Sequence, residues 1–384
     1  MQIDATAPFE LLDRDYRGEA PDPGEVDQWE PGLLDRFLSW QAELVDRAAL
    51  RVMERAFMSV DDPDLDRVDE AFEEMSRTYA RAELFDQPDI FFRRPDQPDE
   101  IRTRHLGRLD DGVRSRVSFP SPYEPYSDQA RGEYAAFRRN RTCEATLWKH
   151  YGSTRGTILC LHYWCGGQLP LVEWAFGAPS LYRAGFDVAF MTLPFHGRRT
   201  PRRAAFSGQY FPSRDLRRTN EAFGQSVADA RLLSSWLIDH GCDEPLGLIG
   251  ISLGGYTSAL LAGLDERYRF VVPIITPASF ADIIWWHGAN HPVQQRAIAA
   301  GASLERMRQV WSIHSPLSHQ LKVSRDNVLI LAAARDAVVR PVQTLALWRH
   351  WGEPEIRWFG GSHMTNVGRL DYMDTLLDWL DERF

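Results

Sequence analysis

Two hydrophobic rhythms run along the chain, and they change over near residue 110. Before that point apolar residues recur in steps of three and four. Leu33, Phe37, Trp40, Leu44, Ala48 and Val52 follow Pro31, a residue tolerated at a first helical position. A second helix is predicted after Asp62-Pro63, with the aspartate as N-cap. Along it Leu65, Val68, Phe72, Met75, Tyr79 and Ala82 form a narrow a/d seam. Such a seam fits helices packed on each other or on a main domain, a cap over an active site, or a homodimer joined through the N-terminal helices. Gln87 to Glu100 carries three prolines and reads as a connector.

From about Arg114 the runs become short, β-branched and aromatic. Val113–Phe119 and Thr142–His150 read as strands, and Thr157–Leu161 is a continuous apolar run of the kind a fully buried strand needs. A helical stretch, Leu169–Ala184, leads to a strand at Phe186–Met191. The next helix takes Asn220 as N-cap, presents Phe223, Val227, Ala230, Leu233 and Leu237, and ends at Gly241. Further strands are predicted at Leu246–Ile251, Phe270–Ile275, Asn327–Ala332 and Glu355–Phe359. Strands alternating with helices imply right-handed crossovers and a mostly parallel sheet covered on both faces, an α/β fold. The predicted organisation is an N-terminal helical cap or arm over residues 1–110 and a catalytic domain over 111–384, with a lid insertion at about 279–325.

The stretch GISLGG, Gly250 to Gly255, joins the strand Leu246–Ile251 to a helix at Tyr256–Leu264. Gly-x-Ser-x-Gly arises by accident in roughly one chain in ten of this length, so its context decides. A tight strand-to-helix turn needs glycines where Cβ atoms would clash. It lifts the Ser252 hydroxyl above the strand's carboxyl end, beside helix N–H groups that stabilise an anion. A serine hydroxyl needs a base, and such elbows draw on an acid and a histidine later in the chain. Asp336 follows one predicted strand, in AARDAVVRP, and His363 follows the next, in FGGSHMT. Alone, such an aspartate is often a turn residue and such a histidine a loop residue. Together, in that order and at strand ends, they predict a catalytic triad.

These residues resemble the α/β-hydrolase superfamily over about residues 110–384. LPFHGRRT, Leu193–Thr200, resembles the Leu-Pro-Gly-His-Gly loop of many members, and LCLHYWCGG, Leu159–Gly167, resembles their strand and oxyanion loop. PFHGRR paired with GISLGGY is similar to the domain-eighteen type branch. The resemblance implies oxyanion donors from the backbone N–H groups of Leu253 and Trp164, with Tyr163 as the alternative. Tyr163 stands where members carry glycine. It further implies an ester or thioester hydrolase working through an acyl-enzyme. Alternatives are a peptidase, an acyltransferase, a carbon–carbon bond hydrolase, or a silent scaffold whose N-terminal region is an interaction arm.

Composition narrows this reading. The chain has 384 residues and a net charge of −10, which argues against general nucleic-acid binding. No run of eighteen uncharged apolar residues predicts a membrane span. The acidic start MQIDATAPFELLDRDYRGE lacks the apolar core of a secretory signal. Cys143, Cys160, Cys165 and Cys242 make no Cys-x-x-Cys pair, so reduced thiols and a cytoplasmic location are expected. Trp285, Trp286, His287, His291, Trp311 and His314 fall in the predicted lid. Tyr163, Trp285 and Trp286 are candidate substrate contacts; the tryptophans fit an aromatic substrate wall and fit equally well an insertion packed on the sheet. No metal is predicted, because Pro292, next to His291, argues against one continuous helix presenting His287 and His291, and no His-Glu-x-x-His arrangement occurs. No cofactor is predicted either, and the expected ligand is a small acyl substrate. Arg198, Arg199, Arg202, Arg203, Arg214, Arg217 and Arg218 fit an anion site, or more simply a loop paired with neighbouring acids.

Overall fold

The computed structural model describes residues 9–17, 43–47, 50–51, 67–96, 100–213, 215–289, 291–364 and 369–384. Strand sequence and burial go together throughout. The strands are β1 (Arg102–Arg108), β2 (Gly112–Pro120), β3 (Thr142–His150), β4 (Gly156–Leu161), β5 (Phe186–Met191), β6 (Leu246–Ile251), β7 (Tyr268–Ile274), β8 (Leu329–Ala333) and β9 (Glu355–Phe359). Every residue of β4, β5 and β6 is buried, as their unbroken apolar runs require. Among the described residues these strands form one sheet in the order β1-β2-β3-β5-β4-β6-β7-β8-β9. Pairing is antiparallel from β1 to β3 and between β3 and β5, and parallel from β5 through β9.

The two-residue period of the strands divides the core. Leu159 and Leu161 face one layer, with the helices Leu216–Asp239, Leu253–Leu264 and Pro341–His350. Ile158 and Cys160 face the other, with Leu169–Ala175, Ala178–Arg183 and Arg369–Arg383. Helices therefore cover both faces of a mostly parallel sheet, the α/β-hydrolase architecture.

Three local expectations need correction. The stretch 102–108 is a strand, so the sheet begins before residue 110. Its polar sequence, RTRHLGR, sits on the exposed edge and carries no buried alternation. The helix expected over Leu169–Ala184 is broken by Gly177, which adopts φ 60° and starts a second helix. Asn220 is not an N-cap. Asp215 caps that helix by accepting from the Arg218 N–H at 2.9 Å, while Asn220 lies inside and donates to the Val310 carbonyl at 3.0 Å.

The helix Val68–Tyr79 buries Val68, Phe72, Met75 and Tyr79, packing on Leu304–Trp311 in the β7–β8 insertion. Its seam is thus occupied within the chain. Tyr79 donates to the buried Glu221 carboxylate, which also receives the Tyr123 hydroxyl and the N–H groups of Tyr126 and Ser127. The predicted connector is more than a linker, since Phe91 and Phe92 enter the core. Of the apolar positions named for the first predicted helix, only Leu44 lies within the described residues, and it is exposed. Pro31, Leu33, Phe37, Trp40, Ala48, Val52, Asp62, Pro63 and Leu65 lie outside them. No helix of the described residues is long and apolar enough to cross a membrane.

Candidate active site

Ser252 occupies the turn between β6 and the helix Leu253–Leu264, at φ 54° and ψ −111°. Non-glycine residues rarely adopt this backbone, and it persists only where the surroundings enforce it. Two neighbours show how tightly they do. A Cβ on Gly254 would lie 1.7 Å from the Leu161 carbonyl oxygen, and one on Gly250 would lie 2.2 Å from the Gly254 carbonyl oxygen. The helix start is thereby pressed against the end of β4, where the loop His162–Gly167 begins.

Asp336 follows β8, and His363 follows β9. With β6 and β7 these strands are consecutive in the sheet and parallel, so their carboxyl ends gather the three side chains. His363 Nε2 lies 2.9 Å from Ser252 Oγ, and His363 Nδ1 lies 2.7 Å from Asp336 Oδ2. The carboxylate accepts the Nδ1–H hydrogen bond, which fixes the tautomer and leaves Nε2 to accept from the serine. Asp336 Oδ1 accepts the N–H groups of Val338 at 2.8 Å and Val339 at 2.6 Å, holding the carboxylate in register. Burial disfavours the charged imidazole, but the charge and hydrogen bond of Asp336, together with the charge of Asp46, outweigh it. The His363 pKa is raised above its ordinary value.

The loop after β4 carries the predicted oxyanion residues. His162 is buried and braces it: Nδ1 donates to the Tyr163 carbonyl at 2.8 Å and Nε2 accepts the Leu193 N–H at 3.1 Å. Burial lowers the His162 pKa to about 4, so it stays neutral. Gly197 of the LPFHGRRT stretch closes on Gly167, where a Cβ would lie 2.7 Å from the Gly167 oxygen. Trp164 donates its indole N–H to the Gly208 carbonyl at 2.9 Å. Tyr163, Trp164, Ser252, Leu253 and His363 all border one cavity of about 450 Å³.

Apolar side chains make up most of its wall, among them Ile251, Ile275, Phe280, Ile284, Val338 and Phe359. The helix Phe280–Gly288, capped by Ser279, opens the β7–β8 insertion. Phe280, Ile283, Ile284 and His287 line the cavity at helical spacing. Trp285 and Trp286 therefore fall on other faces and do not line it. Trp285 packs half-buried on the core, and Trp286 lies under the Arg340 guanidinium, 4.0 Å from its ring centre. Ile283, Ile284 and His287 thus stand in the wall where Trp285 and Trp286 were expected.

Other sequence candidates are accounted for locally. His287 donates to the Val338 carbonyl at 2.9 Å, His291 caps the helix Pro292–Ala299, and His314 bonds the Tyr256 hydroxyl at 2.8 Å. Among the described residues no group of three or more His, Cys, Asp or Glu is arranged to hold a metal. Four arginines of the cluster are paired with acids. Arg199 is buried against Asp229 at 2.8 Å, and Arg198, Arg217 and Arg218 meet Glu144, Glu74 and Glu133. Arg214 lies outside the described residues. All four cysteines are free thiols.

One residue escaped the sequence reading. Asp46, in the helical stretch 43–47, is fully buried, and its carboxylate accepts from the loops that carry Asp336 and His363. Leu50, four residues further on, lines the cavity. An isolated acid and leucine in an amphipathic N-terminal segment carry no signal of this.

The strand order, the serine turn and the three converging loops together have the form of the α/β-hydrolase fold. Residues 149–291 match the family described as "Alpha/beta hydrolase domain containing 18". That span includes LPFHGRRT and the serine turn and stops short of Asp336 and His363. An uncharacterized protein of Mycobacterium tuberculosis is 29% identical over 292 residues, covering 74% of this chain and 68% of that protein. Among solved structures, an acetyl xylan esterase from Paenibacillus sp. matches with a TM-score of 0.53 at 13% identity, over 83% of this chain and 95% of that one. Acetyl xylan esterase 1 from Thermoanaerobacterium sp. gives 0.55 at 15% identity, over 80% and 98%. These likenesses are of fold.

Proposed function

We propose that the protein is a serine hydrolase that cleaves a carboxylic ester or thioester with an apolar acyl group. The unbroken run from Ser252 Oγ to His363 and from His363 to Asp336, at 2.9 and 2.7 Å, carries this reading. His363 removes the serine proton as Oγ attacks the acyl carbonyl. Asp336 orients the imidazole and stabilises its charged form. The N–H of Leu253 and one from Tyr163 or Trp164 receive the oxyanion. The leaving group departs with the proton from His363, and a water activated by the same imidazole releases the acyl group. The esterase activity in the names of the structural neighbours agrees with this class of chemistry. The short serine–histidine approach weighs against a silent scaffold.

The test is hydrolysis of p-nitrophenyl esters from two to sixteen carbons by wild type and Ser252→Ala. Loss in the variant supports the reading. A wild type inert to every ester and unlabelled at Ser252 by an alkyl fluorophosphonate would sink it.

A further inference from the structure

The N-terminal segment reaches under the triad. Asp46 Oδ1 accepts the Ser362 hydroxyl at 2.8 Å and the Met364 N–H at 2.8 Å. Asp46 Oδ2 accepts the His363 N–H at 2.8 Å and the Ala337 N–H at 3.1 Å. One carboxylate thus collects three consecutive residues of the histidine loop and the residue that follows Asp336. A buried carboxylate costs several kcal/mol unless its lone pairs are filled, and here four donors fill them. The loops it joins are otherwise separate connections, one after β8 and one after β9.

We infer that Asp46 is a positioning residue for the triad, clamping the Asp336 and His363 loops so that the imidazole sits between serine and aspartate. This inference rests on the proposed serine chemistry. Asp46 does not touch the reacting atoms; it acts through the backbone of His363. Its charge also faces the imidazole, as do Asp336 and His287. Leu50 places the same segment in the cavity wall, so the N-terminal region belongs to the site as well as to the fold.

Asp46→Asn tests the clamp with little change of shape. The amide keeps one accepting oxygen and turns an NH₂ towards the other two donors, and neither orientation of the amide satisfies both pairs. The expected result is a fall in kcat of about 10- to 100-fold with KM within about threefold. Loss of the negative charge should also move the acid limb of the pH profile to lower pH, a shift that a merely structural contact would not produce. Labelling of Ser252 by the fluorophosphonate should slow in parallel. Ser362→Ala, which removes one of the four donors and leaves the charge in place, should lower kcat and slow labelling by less, without moving the acid limb to lower pH. A folded Asp46→Asn with kcat within twofold of wild type, or with only KM changed, overturns the inference. If Asp46→Asn does not fold, Ser362→Ala decides by the same criteria. A wild type that cleaves no ester but labels in an Asp46-dependent way would remove the ester reading and keep the clamp.

Discussion

Ser252 and His363 stand 111 residues apart in the chain, yet Oγ and Nε2 meet at 2.9 Å. Removing the hydroxyl while leaving its surroundings intact should cost on the order of 10⁴- to 10⁶-fold in kcat. Ser252→Ala should keep the wild-type unfolding midpoint or raise it, since the strained turn no longer holds a buried hydroxyl. Ester hydrolysis and urea unfolding measured on one preparation check both statements.

The pH profile follows from His363. It acts as a base only when neutral, and its pKa lies above the ordinary histidine value. The acid limb of kcat/KM should therefore fall at a pH above about 6.5, with activity lost below it. The stability link has the opposite sense. A raised folded pKa stabilises the native state below the unfolded value, and that contribution disappears as pH rises through the folded value. A limb centred clearly below 6.5 would contradict the charge arrangement around the imidazole.

Gly254 is a site of close approach, not of unusual backbone freedom. A methyl group there would strike the Leu161 carbonyl, which cannot move without displacing the start of the oxyanion loop. Gly254→Ala should destabilise by about 2–3 kcal/mol and suppress turnover more strongly than its stability loss explains. Urea denaturation beside initial rates on a short ester separates the two effects.

Acyl-length preference should answer to the apolar wall. Ile284→Trp fills part of the 450 Å³ cavity and should shift the optimum to shorter esters. Trp286→Ala, on a neighbouring face and 38% exposed, should leave the length profile unchanged. The reverse pattern across a chain-length series would restore the tryptophans to the substrate wall.

The central strands and the serine turn were legible because each is local. A run such as Leu246–Ile251 is apolar at every position but the glycines, and a buried parallel strand tolerates little else. Asp336 and His363 were legible by order and by their places after strands. The split at Gly177 and the Asp215 cap depend on which local competitor wins. The polar strand β1 is stabilised by pairing with β2, not by its own pattern.

By itself the sequence determined an α/β sheet and a serine, an aspartate and a histidine at the ends of its strands. Strand burial and turn chemistry act within a few residues, and the sequence displays them directly. Tertiary structure alone decided that Ile284 and His287, not Trp285 and Trp286, face the cavity, because the rotation of a helix is set by what it packs against. It alone placed Asp46 beneath a histidine 317 residues away. Hydrogen bonds between distant segments depend on where folding brings the backbone, and no spacing in the chain records that.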